Sequence, residues 1–261
     1  MAYSWYTVMV WHWAIITFAV SVSNVSQFEG GLYMKQKKVF YSEAAYFAGL
    51  ILLAFGTALM ERADFGMSMI VAPAYIIHLK VSEAVSWFSF GVAEYCLQTV
   101  LILLLALALR RFKPMYLMAF FTAIIYGTIL DRMIWLVGLI PFDGMGGRIA
   151  YYLAGMVICA AGVSMLFHTY FAPEAYELVV KEIAGTFKKN INITKTVYDC
   201  SSLLISVCMS FAFWGFGHFE GVKLGTLFCA LVNGFLISRC TRVFEHFFEF
   251  KDGLKLQKYF R

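Results

Sequence analysis

The chain has 261 residues, of which 61% are hydrophobic and 14% are charged, and its mean hydropathy is +0.74. Soluble domains carry roughly 25% charged residues, so this composition excludes an ordinary soluble enzyme, a disordered segment and a nucleic-acid-binding domain. The net charge of +5 comes from short basic clusters between apolar stretches and indicates no polyanionic partner. We therefore predict an all-α polytopic membrane protein.

Seven stretches are apolar and long enough to cross a bilayer, since a spanning helix needs about 20 mostly apolar residues. The first lacks a basic region before it and a small-x-small cleavage site after it, so we interpret it as a membrane helix rather than a signal peptide. The stretches lie at about 5–22, 43–62, 86–109, 115–140, 148–170, 194–215 and 223–243.

Two further segments, 65–82 and 171–187, are too short for a clean crossing, and each begins near an Ala-Pro dipeptide. We interpret both as short re-entrant or interfacial helices. Irregular backbone at membrane depth is tolerated only where it is buried in protein or lines a water-filled cavity.

The loop charges are strongly asymmetric, which sets a membrane orientation through the positive-inside rule. One set of alternate loops, together with the C-terminal tail, holds fourteen Lys and Arg residues, whereas the other set holds four. The asymmetry predicts a multi-pass inner (plasma) membrane protein with a cytoplasmic C-terminus. The tail, 246–261, is expected to rest on that surface as an amphipathic stretch.

The chain also matches itself weakly but in order. The first matches have an offset of 106 and later ones an offset of 107, and Ala123 with Ala230 is one of the later pairs. We divide the chain into an N-terminal helix (1–30), a first repeat (43–140) and a second repeat (148–245). Three spans and one short segment in each repeat give the halves opposite orientations, as in many secondary transporters. Fully crossing short segments would instead give parallel repeats, which the loop charges oppose.

Two motifs resemble a known family. The range 56–68, GTALMERADFGMS, resembles the R-A-D-L-G-x-S signature of the bacterial YitT/YczE-type membrane proteins, and 221–226 is similar to the G-x-G-T opening of their last helix. The resemblance extends over about 43–245. The chain departs from the family pattern at 69–71, where P-W-D is usual, and at 113–115, which lacks the G-x-G-T opening. Membership implies a transporter without a defined substrate.

Several charged residues fall inside the predicted spans, where each costs roughly 2.5–3.5 kcal/mol on insertion scales. One interpretation is purely structural, with ion pairs such as Glu94 with Arg132 and Asp199 with Arg239. The other is a solute path between the short segments, because intramembrane ionisable groups commonly mark such paths. The candidate substrate-binding residues are Arg62, Ser68, Pro73, Tyr75, Glu94, Arg132, His168, Glu174, Tyr176, Asp199 and Arg239.

Glu94 and Asp199 are the candidate ion-coupling residues, because each acidic side chain lies in the middle helix of its repeat. A carboxyl group near an arginine can switch between a paired, ionised state and an unpaired, protonated state as its surroundings change. Proton coupling is the first interpretation, and sodium coupling through the carbonyls of the broken segments is the alternative. Four acidic residues against two basic ones in the predicted outer cluster favour a cation or a zwitterion as the solute; the cluster consists of Glu61, Arg62, Asp64, Glu94, Asp131 and Arg132.

The sequence offers no established catalytic or nucleotide-binding motif, and its five histidines lack metal-ligand spacing. We therefore predict no enzyme activity, no cofactor and no metal site. The six cysteines include no C-x-x-C pair and are interpreted as free thiols. The favoured function is ion-coupled secondary transport of a small polar or charged solute by alternating access. The alternatives are a substrate-binding membrane subunit of a multi-component importer and a non-transport accessory or sensor protein, and no oligomeric state is predicted.

Overall fold

The computed structural model describes residues 38–140, 144–171, 174–217, 219–251 and 253. The predicted helix at 5–22 lies outside these residues, as does most of the tail. The helices are α1 (Ser42–Ala63), α2 (Ala72–Ser82), α3 (Phe90–Leu109), α4 (Pro114–Gly138), α5 (Gly144–Phe167), α6 (Ala175–Thr186), α7 (Ile191–Trp214) and α8 (Leu224–Phe247). Two short strands, β1 (Lys38–Tyr41) and β2 (Phe248–Lys251), flank them.

The helices follow one order twice, a long helix, a short helix and two long helices. Six helices in the described residues are long and apolar enough to cross a membrane, and α2 and α6 are the two short ones. The predicted class, an all-α polytopic membrane protein, is confirmed. Three long helices per half would give the two halves opposite directions through a bilayer, as an inverted repeat requires.

Local signals set several helix ends. Helix α1 ends at Asp64, which adopts a left-handed conformation with φ of 56°. Helix α3 begins at Phe90 rather than at the predicted residue 86, because Ser89 caps it by accepting a hydrogen bond from the Val92 amide. Helix α4 begins with Pro114, whose fixed φ suits the first helical position.

The centre of the molecule is the contact between α1 and α5, which occupy equivalent places in the two halves. A Cβ atom added to Gly56 would lie 2.6 Å from the Cys159 amide nitrogen, and one added to Gly162 would lie 2.6 Å from that of Leu53. The equivalent glycines, Gly49 and Gly155, face the opposite helix in the same way. Small residues thus let the two backbones meet, as in many membrane helix pairs.

Each short helix crosses over to the other half. Helix α2 packs on α3 and on α7, and its counterpart α6 packs on α7 and on α3. Helix α4 packs on α1, and its counterpart α8 packs on α5. These pairs relate the halves by an approximate twofold arrangement, with the glycine contact at its centre.

One helix breaks this arrangement. Helix α4 packs along α3 and also touches α6, whereas α8 forms no comparable contact with α7 or α2 among the described residues. Helix α8 is also the least buried of the six long helices. A space therefore lies between α7 and α8 that has no counterpart between α3 and α4.

The end of the chain differs from the expected amphipathic tail at 246–261. Helix α8 continues to Phe247, and Phe248–Lys251 then forms a strand parallel to Lys38–Tyr41. The alternating pattern of Phe248, Glu249 and Phe250 suits a half-buried strand, and Phe40 contacts both phenylalanine rings. The pairing places the start of α1 and the end of α8 side by side, as six crossings between them require.

Candidate functional site

A cavity of about 390 Å³ lies between the two halves, within the space that α8 leaves open. Its walls come from α1, the irregular segment after it, α5, α6, α7 and α8. Most of the lining is apolar and includes four methionines, Met60, Met67, Met69 and Met156. The exposed side chain of Lys181 also lines it.

Four ionisable side chains from α7 and the start of α6 form the polar part of this cavity. Lys195 forms an ion pair with Glu177, which lies within the first turn of α6. Asp199 lies one turn beyond Lys195 on the same face of α7, is only 4% exposed, and interacts electrostatically with both members of that pair. Asp199 Oδ1 and Glu174 Oε1 are buried and have no hydrogen-bond partner. The cavity thus presents two free carboxyl acceptors.

The Glu174 carboxyl group belongs to the connection before α6, outside the long helices. Burial and, to a smaller extent, the nearby Glu94 and Glu177 carboxyl groups raise its pKa to about 8, against the opposing effect of the Lys195 ammonium group. A carboxyl group with this pKa binds and releases a proton near neutral pH.

Behind the cavity lies a second carboxyl group, Glu94 of α3, which is completely buried. The Tyr176 hydroxyl donates to Glu94 Oε2 at 2.8 Å, and Gln98 Nε2 donates to the same oxygen at 3.2 Å. The Ala175 amide at the start of α6 donates to Gln98 Oε1 at 3.2 Å. Since Tyr176 also lines the cavity, it connects Glu94 to the cavity wall.

One end of the cavity is closed where α1 leads into the segment before α2. The Gly225 amide donates to the Phe65 carbonyl at 3.0 Å, and the Tyr152 hydroxyl donates to the Gly225 carbonyl at 2.5 Å. Gly66 has a φ of 104°, and an added Cβ would clash with the Thr226 hydroxyl. The two motifs that carried the family resemblance, 56–68 and 221–226, are therefore in direct contact.

An ion cluster supports this closure. Asp64 accepts hydrogen bonds from Lys223 Nζ at 2.6 Å and from Arg148 Nη2 at 3.0 Å. Arg148 also donates through Nε to the Ala63 carbonyl at 2.9 Å. The start of α8 is thus held against α1 and α5, while the rest of α8 stands away from α7.

The structure brings together five of the predicted site residues. Ser68, Glu174, Tyr176 and Asp199 line the cavity, and Glu94 contacts Tyr176. Ser68 and Asp199 are more than 100 positions apart in the sequence, and the packing of α6 on α3 brings Tyr176 to Glu94.

Six other predicted residues do not line the cavity. Arg62, Arg132 and Arg239 are exposed on the outside of the helices. Pro73 and Tyr75 are buried in α2, where the Tyr75 ring packs on Phe90 of α3.

His168 is the sixth of these residues. Its Nδ1 lies 2.7 Å from the Ser164 carbonyl oxygen, its Nε2 lies 3.3 Å from Glu245 Oε1, and its ring stacks on Phe250. It therefore joins the end of α5 to the end of α8 near the paired strands rather than lining the cavity.

The two predicted structural ion pairs do not form among the described residues. Glu94 binds Tyr176 and Gln98 in place of Arg132. Arg239 lies over the Phe235 ring, 5.0 Å from its centroid, and not against Asp199. The carboxyl groups at the cavity consequently lack the arginine partners that the sequence suggested.

Three residues of the site were absent from the predicted set: Glu177, Lys195 and Gln98. Each of them has a signal in the sequence. Lys195 and Asp199 are four residues apart and share a helix face. Glu177 follows Glu174 by three residues at the start of the short helix. Gln98 has the same spacing of four from Glu94.

Comparison with known proteins adds a family but no activity. No curated protein and no solved structure matches the chain. Residues 40–242 match a family described as a family of unknown function, DUF6198. This range contains all the described cavity-lining residues and the closed end at Asp64 and Lys223. The chain belongs to the DUF6198 family.

Proposed function

We propose that the protein is a secondary transporter of a small polar or charged solute, working by alternating access and coupled to protons. The observation that carries this proposal is the unequal packing of equivalent helices. Helices α3 and α4 are in contact, whereas α7 and α8 enclose part of a cavity of about 390 Å³. The resemblance to YitT/YczE-type predicted transporters points the same way.

An inverted repeat provides two conformations of similar energy, because each half can adopt the arrangement that the other half now has. In the second conformation α8 would close on α7, and α4 would separate from α3. The solute site would then be reached from the opposite side of the membrane. Exchange between the two arrangements is alternating access.

The loop charges give the direction of the present conformation. Lys181 and the start of α7 at Ile191 line the cavity and belong to the part of the chain that the positive-inside rule assigns to the cytoplasm. The closed end at Asp64, Lys223 and Arg148 belongs to the opposite side. We therefore interpret the structure as open toward the cytoplasm.

Proton coupling rests on the carboxyl groups around α6. Asp199 and Glu174 line the cavity with unpartnered oxygens, and Glu94 is joined to its wall by Tyr176. Helix α6 packs on both α3 and α7. Protonation of these carboxyl groups would change the interactions of the helix that lies between the two halves, which is a route from proton binding to conformational change.

The test is uptake into liposomes that contain the purified protein and carry a pH gradient. Solid-supported membrane recording would screen amines, amino acids, organic acids and inorganic cations as solutes. We expect currents for one chemical class, dependence on the pH gradient, and loss of both in Asp199→Asn. Glu83→Gln, which changes an exposed carboxylate outside the cavity, should retain them.

Absence of solute movement across the whole panel, with correctly inserted protein, would contradict the proposal. Co-purification of an ATPase would instead favour the importer subunit. Sodium in place of the proton gradient as the driving ion would contradict the coupling but not the transport.

A further inference from the structure

The distribution of charged and apolar side chains around the cavity indicates the chemical class of its solute. The acidic and basic side chains of the cavity come from α7, α6 and the residue before α6, while α1, α5 and the segment at 67–71 contribute mainly apolar side chains. A ligand that satisfies both parts needs a charged or polar head and an apolar body. A solute that is polar throughout would leave the apolar wall without a partner.

The charged side chains of the cavity indicate whether the head group of the ligand is positive or negative. Lys195 already pairs with Glu177, and Lys181 is exposed. Asp199 and Glu174 remain, and each has a buried carboxyl oxygen that no group in the described structure satisfies. An ionised carboxylate only accepts hydrogen bonds, so the partner that would satisfy either oxygen in its ionised form is a donor. An anion would meet a negative charge as soon as either carboxyl group loses its proton.

The same site is poorly suited to a bare metal ion. No group of three or more His, Cys, Asp or Glu residues in the described part of the chain is arranged to hold a metal. A hard cation such as Ca²⁺ needs six or more oxygen ligands. The rest of the cavity wall is formed largely by methionine and aliphatic side chains, which do not supply them.

We propose that the solute is a small organic cation, a protonated amine on an apolar body, whose ammonium group donates hydrogen bonds to Asp199 and Glu174. This inference rests on the proposed function only in calling the ligand a transported solute. The binding itself is argued from the groups that line the cavity. The apolar body lies against the methionine-lined wall. A primary ammonium group supplies three donors, which a quaternary ammonium group of the same size does not.

Binding of such an amine competes with protons. The ionisable groups that face Glu174 from neighbouring helices are Tyr46 of α1, Glu94 of α3, Tyr126 of α4, Cys159 of α5, Glu177 of α6 and Lys195 of α7. Of these, Glu94, Glu177 and Lys195 change the pKa of Glu174. The pKa of Glu174 is raised to about 8, so at pH 7 an ammonium ion must displace its proton. Amine binding therefore releases a proton, and affinity falls with falling pH, by up to about tenfold per unit.

The probe is 2-phenylethylamine, compared with neutral 2-phenylethanol and anionic 3-phenylpropionate, which have the same ring and similar length. Isothermal titration of the full chain in mild detergent at pH 7 should show saturable binding of the amine alone. Titration in buffers of different ionisation enthalpy should show proton release. Adding N-methyl groups to the amine to make it quaternary should weaken binding at least tenfold.

Asp199→Asn and Glu174→Gln should each weaken amine binding at least tenfold, while Glu83→Gln should bind as the wild type does. The two cavity variants serve as each other's check on folding. Stronger binding of 3-phenylpropionate than of the amine, or unchanged amine affinity in both cavity variants, would overturn the inference.

These experiments distinguish a wrong ligand class from a wrong proposed function. If the amine binds but liposomes show no movement of any solute, the proposed function is wrong and the ligand class stands. If a pH gradient drives uptake of anions while the amine does not bind, transport stands and the ligand class is wrong.

Discussion

Three carboxyl oxygens in the described residues are buried without a hydrogen-bond partner, Glu94 Oε1, Glu174 Oε1 and Asp199 Oδ1. A buried unsatisfied polar group costs about 1–3 kcal/mol, and more when it is charged. All three belong to or adjoin one cavity, although they come from three different parts of the chain. Their shared location gives a reason for retaining them, since a solute or a proton relieves the cost.

The first prediction concerns the hydrogen bond between Tyr176 and Glu94. Tyr176→Phe removes the hydroxyl at 2.8 Å from Glu94 Oε2 and leaves a buried carboxyl group with fewer donors. We expect a loss of about 1–3 kcal/mol in stability, measured as reduced unfolding temperature in mild detergent. Tyr116→Phe is the control, because its hydroxyl lies 3.4 Å from Glu182, which Lys113 also binds.

The control variant should lose less than about 1 kcal/mol. Equal losses in the two variants would mean that the hydroxyl of Tyr176 has no special role in holding Glu94.

The second prediction is that Glu174 makes the stability of the protein depend on pH. Its pKa is raised by burial from 4.5 to about 8, so the folded protein binds more protons than the unfolded chain between these values. Stability should therefore fall as pH rises from about 5 to 8, by up to about 1.4 kcal/mol per unit. Glu174→Gln stays neutral and should show a flatter dependence of unfolding temperature on pH.

Glu83→Gln controls for the loss of one carboxylate at an exposed position and should keep the wild-type slope. A wild-type slope in Glu174→Gln as well would show that this carboxyl group does not titrate across the range.

At the scale of the helices, the central contact depends on glycine at positions where the other backbone passes. Gly56 and Gly155 face one another across α1 and α5, and a Cβ added to Gly155 would lie 2.7 Å from the Gly56 carbonyl oxygen. A Cβ added to Gly56 would likewise lie 2.7 Å from the Gly155 carbonyl oxygen, and a rotamer change cannot move either carbonyl group aside. The seven-residue glycine spacing in the sequence predicts this small face directly.

Gly155→Ala is the third prediction. Overpacking at a close contact costs about 1–3 kcal/mol, so this variant should unfold at a lower temperature than the wild type in mild detergent. Gly146→Ala, on the same helix with nothing within 4 Å of the added atom, should be neutral or more stable by up to about 1 kcal/mol. A larger loss in Gly146→Ala than in Gly155→Ala would contradict the packing argument.

The long helices and their twofold order follow from hydropathy and internal matches, because lipid requires apolar spans of about 20 residues. The contact of Tyr176 with Glu94, 82 positions apart, depends on the crossing of α6 onto α3, which hydropathy does not encode. Arg132 and Arg239, which are exposed, are a second case in which the position in the sequence does not give the contacts of the side chain. A basic residue within an apolar stretch has no fixed depth in the sequence, and only helix packing decides whether it reaches the surface.

At the scale of the whole molecule, the two halves share an order of helices but not an arrangement. An apolar face of α8 can rest on lipid or on α7 with a similar hydrophobic gain, because lipid tails are as apolar as the side chains of a neighbouring helix. Asp64 and Lys223 hold the start of α8, and His168 and the paired strands hold its end, so α8 would approach α7 while remaining attached to α1 and α5. Helix α4 is the corresponding element of the other half.

The last prediction compares two equivalent alanines, Ala230 of α8 and Ala123 of α4. Ala230 lines the cavity, whereas Ala123 is completely buried. In a background without the six native cysteines, Ala230→Cys should react with a small membrane-impermeant thiol reagent from the cytoplasmic side, and Ala123→Cys should be protected. The two substitutions are chemically identical, so a difference in labelling rate reports the asymmetry of the halves.

Transport requires this difference to reverse. When a transported solute and a pH gradient are supplied, Ala123→Cys should become reactive from the opposite side while labelling of Ala230→Cys slows, because α4 leaves α3 as α8 closes on α7. Labelling rates at the two positions that do not respond to the gradient would contradict alternating access. They would leave a fixed cavity between α7 and α8, which suits a binding subunit or a sensor better than a carrier.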